Sequence, residues 1–198
     1  SAGTEDYTVH VLRELGEVVI HGVAVKPGKP VILAIVRGKP VIGLPGYPVS
    51  AYIAFENFVT PVLTALSGKT AERANVVEAV SSRRMVSSLK HREYVRVKLG
   101  RVDGKLVAAP LARGAGAAMS LVRADGFGII EQNVEGVEAG ETIRVQLSRG
   151  LEEIENTLVV VGSHDMILDV ISDQMTAKYK NIFLSSTHVG SMAGLMAL

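Results

Sequence analysis

The sequence predicts an α/β unit, then a small all-β barrel-like unit, then a truncated βαβα segment. Three observations carry that order. Helical spacing and Val/Ile-rich strands alternate over the first 70 residues. Short strands punctuated by glycine fill the next 80, with Asp103-Gly104 as a hairpin turn. From Thr157 onward, an apolar strand, a helix and a second strand follow one another. Expected domain limits are 1–70, 71–150 and 156–198.

In the first unit, Asp6 is placed to cap a helix over Tyr7–Leu15, with Tyr7, Val11, Leu12 and Leu15 expected inward and Gly16 as its stop. Glu17–Val25 reads as a strand. Val31–Val36 and Val41–Leu44 read as a hairpin around Arg37-Gly38-Lys39-Pro40. A helix is expected from Pro48 to Ser67, with Pro48 at its first position and Gly68 just past its end. Its expected inward stripe is Tyr52, Phe55, Val59, Val62 and Leu66, and Pro61 is expected to kink it. In the second unit, Tyr94–Gly100 pairs with Lys105–Ala109, and Gly126–Glu131 with Thr142–Leu147. In the third, Leu158–Val161 and Asn181–Leu184 are strands, Met166–Ala177 is a helix, Ser185–Gly190 is a loop, and Ser191 opens a last helix. Such a segment cannot close a core alone, so the reading expects a fragment, cut at both ends.

The chain has 198 residues, of which 47% are hydrophobic, enough for two small cores. Its net charge of +1 supplies no global field for nucleic acid, so any anion site must be local. Apolar runs such as Val31–Val36 are too short to span a bilayer, and no secretory leader pattern is expected at the start. Cysteine is absent, which rules out disulfides and thiolate metal sites in this chain and fits a reducing compartment.

The stretch Lys26–Ser50 carries most of the chemical information. Lys26 and Lys29 are each followed by proline, in Lys26-Pro27-Gly28-Lys29-Pro30. Proline stiffens the loop and lysine supplies compact charges for an oxyanion. Gly43–Ser50 then opens a helix, where unpaired N–H groups favour an anion and Ser50 can add a hydroxyl. The bland alternatives are a solvated surface loop and a plain helix start. Ser1–Asp6 is a third loop opening a helix, with Asp6 as N-cap or as a carboxylate for Mg²⁺ near phosphates. Arg96 on a strand and Ser120 after Gly114 and Gly116 can each reach an oxyanion, although an ordinary outward strand face explains Arg96 equally well. His164, Asp165 and Ser185–His188 sit at strand ends, where simple capping competes with ligand binding.

Three motifs, Ser1-Ala-Gly-Thr-Glu-Asp-Tyr-Thr8, Val25-Lys-Pro-Gly-Lys-Pro30 and Gly43-Leu-Pro-Gly-Tyr-Pro-Val-Ser-Ala51, together resemble the C-terminal half of the MoeA family, the molybdopterin molybdenumtransferases. Gephyrin's E domain belongs to that family. The resemblance covers Ser1–Leu147, and residues 157–198 resemble the start of a periplasmic-binding-protein-like domain. It implies half of a three-layer molybdopterin-binding α/β domain followed by a barrel-like domain. It also implies Mg²⁺-dependent insertion of molybdate into adenylyl-molybdopterin with release of AMP. Asp6, Lys26 and Lys29 carry over as catalytic residues, Asp6 as the metal ligand. Ser1, Gly3, Pro45, Gly46, Pro48, Ser50, Arg96 and Ser120 carry over as substrate-binding, with Arg92 a rival to Arg96. A cytoplasmic homodimer is implied, with a molybdopterin adenylyltransferase as pathway partner and neither nucleic acid nor membrane. The family's glycines before Ser1, its upstream acidic residues and its N-terminal domains are not in this sequence. An oxyanion-binding or sensing module and a gephyrin-type scaffold remain as alternatives.

Overall fold

The computed structural model describes residues 7–70, 75–111, 118–163, 165–179, 182–188 and 190–195. Asp6, Ser1, Gly3, Gly114, Gly116 and His164 lie outside them.

Helix α1 (Thr8–Leu15) buries Val9 and Leu12, three residues apart, against one face of a three-stranded antiparallel sheet, whereas Tyr7, Val11 and Leu15 of the expected inward face are exposed. That sheet is β1 (Glu17–His21), β3 (Ile32–Val36) and β4 (Lys39–Gly43), in the order β1-β3-β4. The β3–β4 turn needs only two residues, Arg37 and Gly38, both with positive φ. The single strand expected over Glu17–Val25 is divided. The chain turns at Gly22, where φ is +88°, and continues as the separate β2 (Val25–Lys26). Backbone bonds Gly22 N–H to Val31 O and Val23 N–H to Lys29 O, both 2.8 Å, close residues 22–31 into an arch.

The next helix runs without a break but not as a uniform α-helix. α2 (Pro48–Ala54) passes through a π-helical segment, Phe55–Val59, into α3 (Thr60–Leu66). The Thr60 N–H reaches the Phe55 carbonyl five residues back, and Pro61 then occupies the first turn of α3, where its missing N–H costs little. The widened turn resets the helical phase. Ahead of it, α2 buries Val49, Ser50, Ile53 and Ala54, whereas Phe55 and Leu66 of the expected stripe are exposed. Pro48–Leu66 is long and apolar enough to cross a membrane by length and composition. Its inner side is used here on protein: Val49 and Ile53 pack with Tyr94 and Phe127.

The second unit is a closed barrel. Strands β5 (Val76–Ser81), β7 (Arg92–Val102), β8 (Lys105–Pro110), β9 (Gly126–Ile130) and β11 (Thr142–Leu147) follow the order β7-β8-β5-β11-β9, and β9 pairs back onto β7. Closure leaves this ring without a free edge. Short β6 (Met85–Val86) and β10 (Gly136–Val137) form a side ribbon, and α4 (Ala118–Arg123) precedes β9. Alternation along β7 sends Val95, Val97 and Leu99 into the barrel core with Ala79, Ile130, Ile143 and Val145. Strand β2 adds to β7 in parallel, Lys26 opposite Glu93, joining the two units through backbone as well as side chains.

Helix α5 (Leu151–Glu155) carries Ile154 into the barrel core. It leads to β12 (Thr157–Gly162), α6 (Met166–Lys178), β13 (Phe183–His188) and α7 (Ser191–Leu195). β12 and β13 are parallel, as a βαβ unit requires. Residues 185–188, expected as loop, extend β13, because each pairs with a residue of β12.

Candidate functional site

The arch of residues 22–31 sits on the first turns of α2. A Cβ added at Gly28, whose φ is +121°, would lie 3.5 Å from the Ser50 carbonyl oxygen and 3.9 Å from Ile53 Cγ2. Gly28 is therefore both the conformational pivot and the contact surface, and it has Lys29 as its neighbour. Lys29 is exposed, with its charge open to solvent. Lys26 is shared. Its Nζ lies 3.5 Å from Glu93 Oε2, and the Glu93 carboxylate, only 4% exposed as a residue, also accepts from Ser87 Oγ at 2.9 Å. Pro45 and Ser50 are buried beneath the second loop, while Gly46 and Pro48 are exposed on it. The two loops predicted to form one anion site are thus in direct contact.

The barrel contributes a second group. Arg96, 6% exposed, donates from Nη1 to the Ser120 hydroxyl, bringing together two residues 24 positions apart. Arg96 follows Tyr94 by two residues, so both project from the face of β7 that α2 covers. It stands opposite Phe127 in register, and Phe127 stacks on Tyr52 of α2 with ring centroids 5.4 Å apart. Burial lowers the Arg96 pKa, because a guanidinium held away from water loses hydration. Arg92, the rival, is exposed. It pairs with Glu131 at 2.7 Å, which raises its pKa chiefly through that hydrogen bond. Burial also raises the Tyr52 phenol, with Glu56 adding to the shift and a hydrogen bond to Ser148 opposing it.

Two functional-looking groups escaped the sequence reading. Asp125, 1% exposed, accepts from Leu99 N at 2.8 Å, from Lys98 Nζ at 3.1 Å and from Arg149. Its ion pairs clamp β7 to the segment entering α5, where Arg149 also holds Glu153. Tyr94 donates to Asn57 Oδ1 at 2.7 Å, and Asn57 Nδ2 donates to the Ile53 carbonyl at 2.8 Å. Neither has a local pattern; only the barrel's closure and the helix's docking bring these partners together. Among the described residues, no group of three or more His, Cys, Asp or Glu side chains is placed to hold a metal ion. The expected ligand Asp6 lies outside them, so no chemical step is assigned to Mg²⁺.

A proline-stiffened cationic arch seated on a helix start is thus joined to a closed barrel bearing an Arg–Ser pair. Comparison with known proteins gives it a family. Residues 1–65 match the probable molybdopterin binding domain, and residues 78–148 match the MoeA C-terminal region, domain IV. A protein of Methanocaldococcus jannaschii whose name points to molybdopterin biosynthesis is 39% identical over 147 residues, 74% of this chain and 34% of that protein. The molybdopterin molybdenumtransferase of Bacillus subtilis is 28% identical over 151 residues, 75% of this chain and 35% of the enzyme. The crystal structure of a molybdopterin biosynthesis MoeA protein from Pyrococcus horikosii superposes with a TM-score of 0.62 at 39% identity, covering 73% of this chain and 35% of that one. Over residues 1–148 the chain belongs to the MoeA family. It spans about a third of the length of these curated relatives. Residues 149–198 lie outside both matched regions.

Proposed function

We propose that this chain supplies the oxyanion-binding part of a molybdenumtransferase. In the complete protein, molybdate is inserted into adenylyl-molybdopterin, AMP is released, and molybdenum cofactor results. The observation that carries the reading is the seating of the Lys26–Pro30 arch on the first turns of α2, with Gly28 against the Ser50 carbonyl. Molybdate is a dianion, and the pterin substrate brings phosphate charge beside it. Lys29 offers a solvent-exposed cation. Lys26, half neutralised by Glu93, offers a held one. Arg96 and Ser120 add a guanidinium and a hydroxyl from the barrel side. Fixed donors of this kind stabilise charge without reorganising when it develops. On this reading Mg²⁺ is required, and the protein is a cytoplasmic homodimer that takes its substrate from a molybdopterin adenylyltransferase. A scaffold role explains less, since clustering needs no cationic arch.

The test is molybdate-dependent AMP release from adenylyl-molybdopterin by the complete protein. Lys29→Ala is expected to lower it roughly ten-fold or more, the scale of a lost charge-assisted contact, with an unchanged circular dichroism spectrum. Full activity in that variant removes the arch from the reaction. No AMP release by the unaltered protein removes the reading itself.

A further inference from the structure

We propose that the Tyr94–Asn57 hydrogen bond is a positioning contact that seats α2, with the Gly43–Ser50 loop that opens it, against the barrel half of the oxyanion site. This rests on the functional reading above and adds two residues to it. The lysine arch rides on α2, through Gly28 against Ser50 and Ile53. Arg96 rides on β7, two residues beyond Tyr94 and on the same face. Tyr94 is 5% exposed, and its hydroxyl meets Asn57 Oδ1 at 2.7 Å. Asn57 stands inside the π-helical segment, and its amide is turned by donating to the Ile53 carbonyl at 2.8 Å. Ile53 is the same residue whose methyl faces the arch at Gly28. One continuous path therefore runs from arch to Ile53, to Asn57, to Tyr94, to Arg96.

The arch is already tied to β7 through the β2 pairing, so what apolar packing alone would leave adjustable is the seat of α2 on the barrel. Val49, Ile53 and Phe127 form a non-directional contact that tolerates sliding of the helix over the barrel. A hydrogen bond is directional and fixes the register. Asn57 lies within the π-helical segment, where the backbone departs from the regular α repeat. Such turns are frequent at functional sites.

The test uses Tyr94→Phe, which keeps the buried ring and deletes only the hydroxyl. Spin labels on Ala65→Cys and Lys105→Cys report the spacing of helix and barrel. The chain contains no other cysteine to take a label. The unaltered chain is expected to give one narrow distance distribution, and Tyr94→Phe a visibly broadened one. In the complete protein, Tyr94→Phe is expected to raise the KM for molybdate roughly three- to ten-fold, the range of one hydrogen bond, with kcat changed less than about two-fold. Val97→Ala, a barrel-core change away from the contact, serves as the control and is expected to lower Tm without moving KM. An unchanged distance distribution overturns the proposal, as does an equal rise in KM for Val97→Ala. Should the unaltered protein show no molybdate-dependent turnover, the functional reading falls, and the label distances by themselves decide whether the contact holds the two units in register.

Discussion

Asp125 shows how one buried charge can organise two elements. Its carboxylate is surrounded by a backbone N–H and two cations, so its burial is compensated. Removing it leaves Lys98, whose side chain is 13% exposed, without that partner. Asp125→Ala is expected to cost about 3–5 kcal/mol in urea unfolding. Asp125→Asn keeps an acceptor for Leu99 N and is expected to cost less, about 1–3 kcal/mol. By contrast, the exposed pairs of Glu131 with Arg92 and Arg144 are worth about 0–1 kcal/mol. The sequence offered Arg96, with Arg92 as its rival. Their separation came from burial: one side chain lies under α2 and α4, the other in solvent.

At the scale of elements, the arch and the barrel depend on glycine for different reasons. Gly28 has a φ of +121°, which a side chain strains whatever the space around it. Gly28→Ala is expected to cost about 1–3 kcal/mol and to weaken molybdate binding by displacing Lys29, measurable by calorimetry on the complete protein. Gly126 has no room instead: a Cβ there would stand 2.5 Å from the Gln146 carbonyl oxygen and 2.9 Å from Val145 Cγ1. Gly126→Ala is expected to lower stability by about 1–3 kcal/mol, read in thermal unfolding, by pushing β9 off β11. Helix existence was legible in the 48–67 pattern because Pro48 and Gly68 mark its ends. Its buried stripe was not, because the barrel residues Tyr94 and Phe127 receive Val49 and Ile53, a face set by docking and already out of phase with the expected Phe55 before the π-turn begins.

Across the whole molecule, the ledger of neighbours sets where it is rigid. In the closed ring each of the five barrel strands has two partners, whereas among the described residues β12 and β13 pair only with each other. Amides of β7 and β9 are therefore expected to exchange with solvent far more slowly than those of β12 and β13, by hydrogen-exchange mass spectrometry. α5 joins the two regions through Ile154 in the barrel core and through Arg149, which pairs with both Asp125 and Glu153, so protection in it is expected to follow the barrel. The sequence by itself determined the succession of α/β and β units, the hairpin at Asp103-Gly104, and the two Gly/Pro loops with their lysines. Those are local properties, written in φ preference, periodicity and turn chemistry. Only the tertiary structure decided that Lys26 is shared with Glu93, that Arg96 meets Ser120, that Asp125 is enclosed and that Tyr94 reaches Asn57. Each of those pairs lies 24 to 67 residues apart in sequence, or depends on a partner backbone 26 away. Contacts of that range follow from barrel closure and helix docking, which no window of sequence contains.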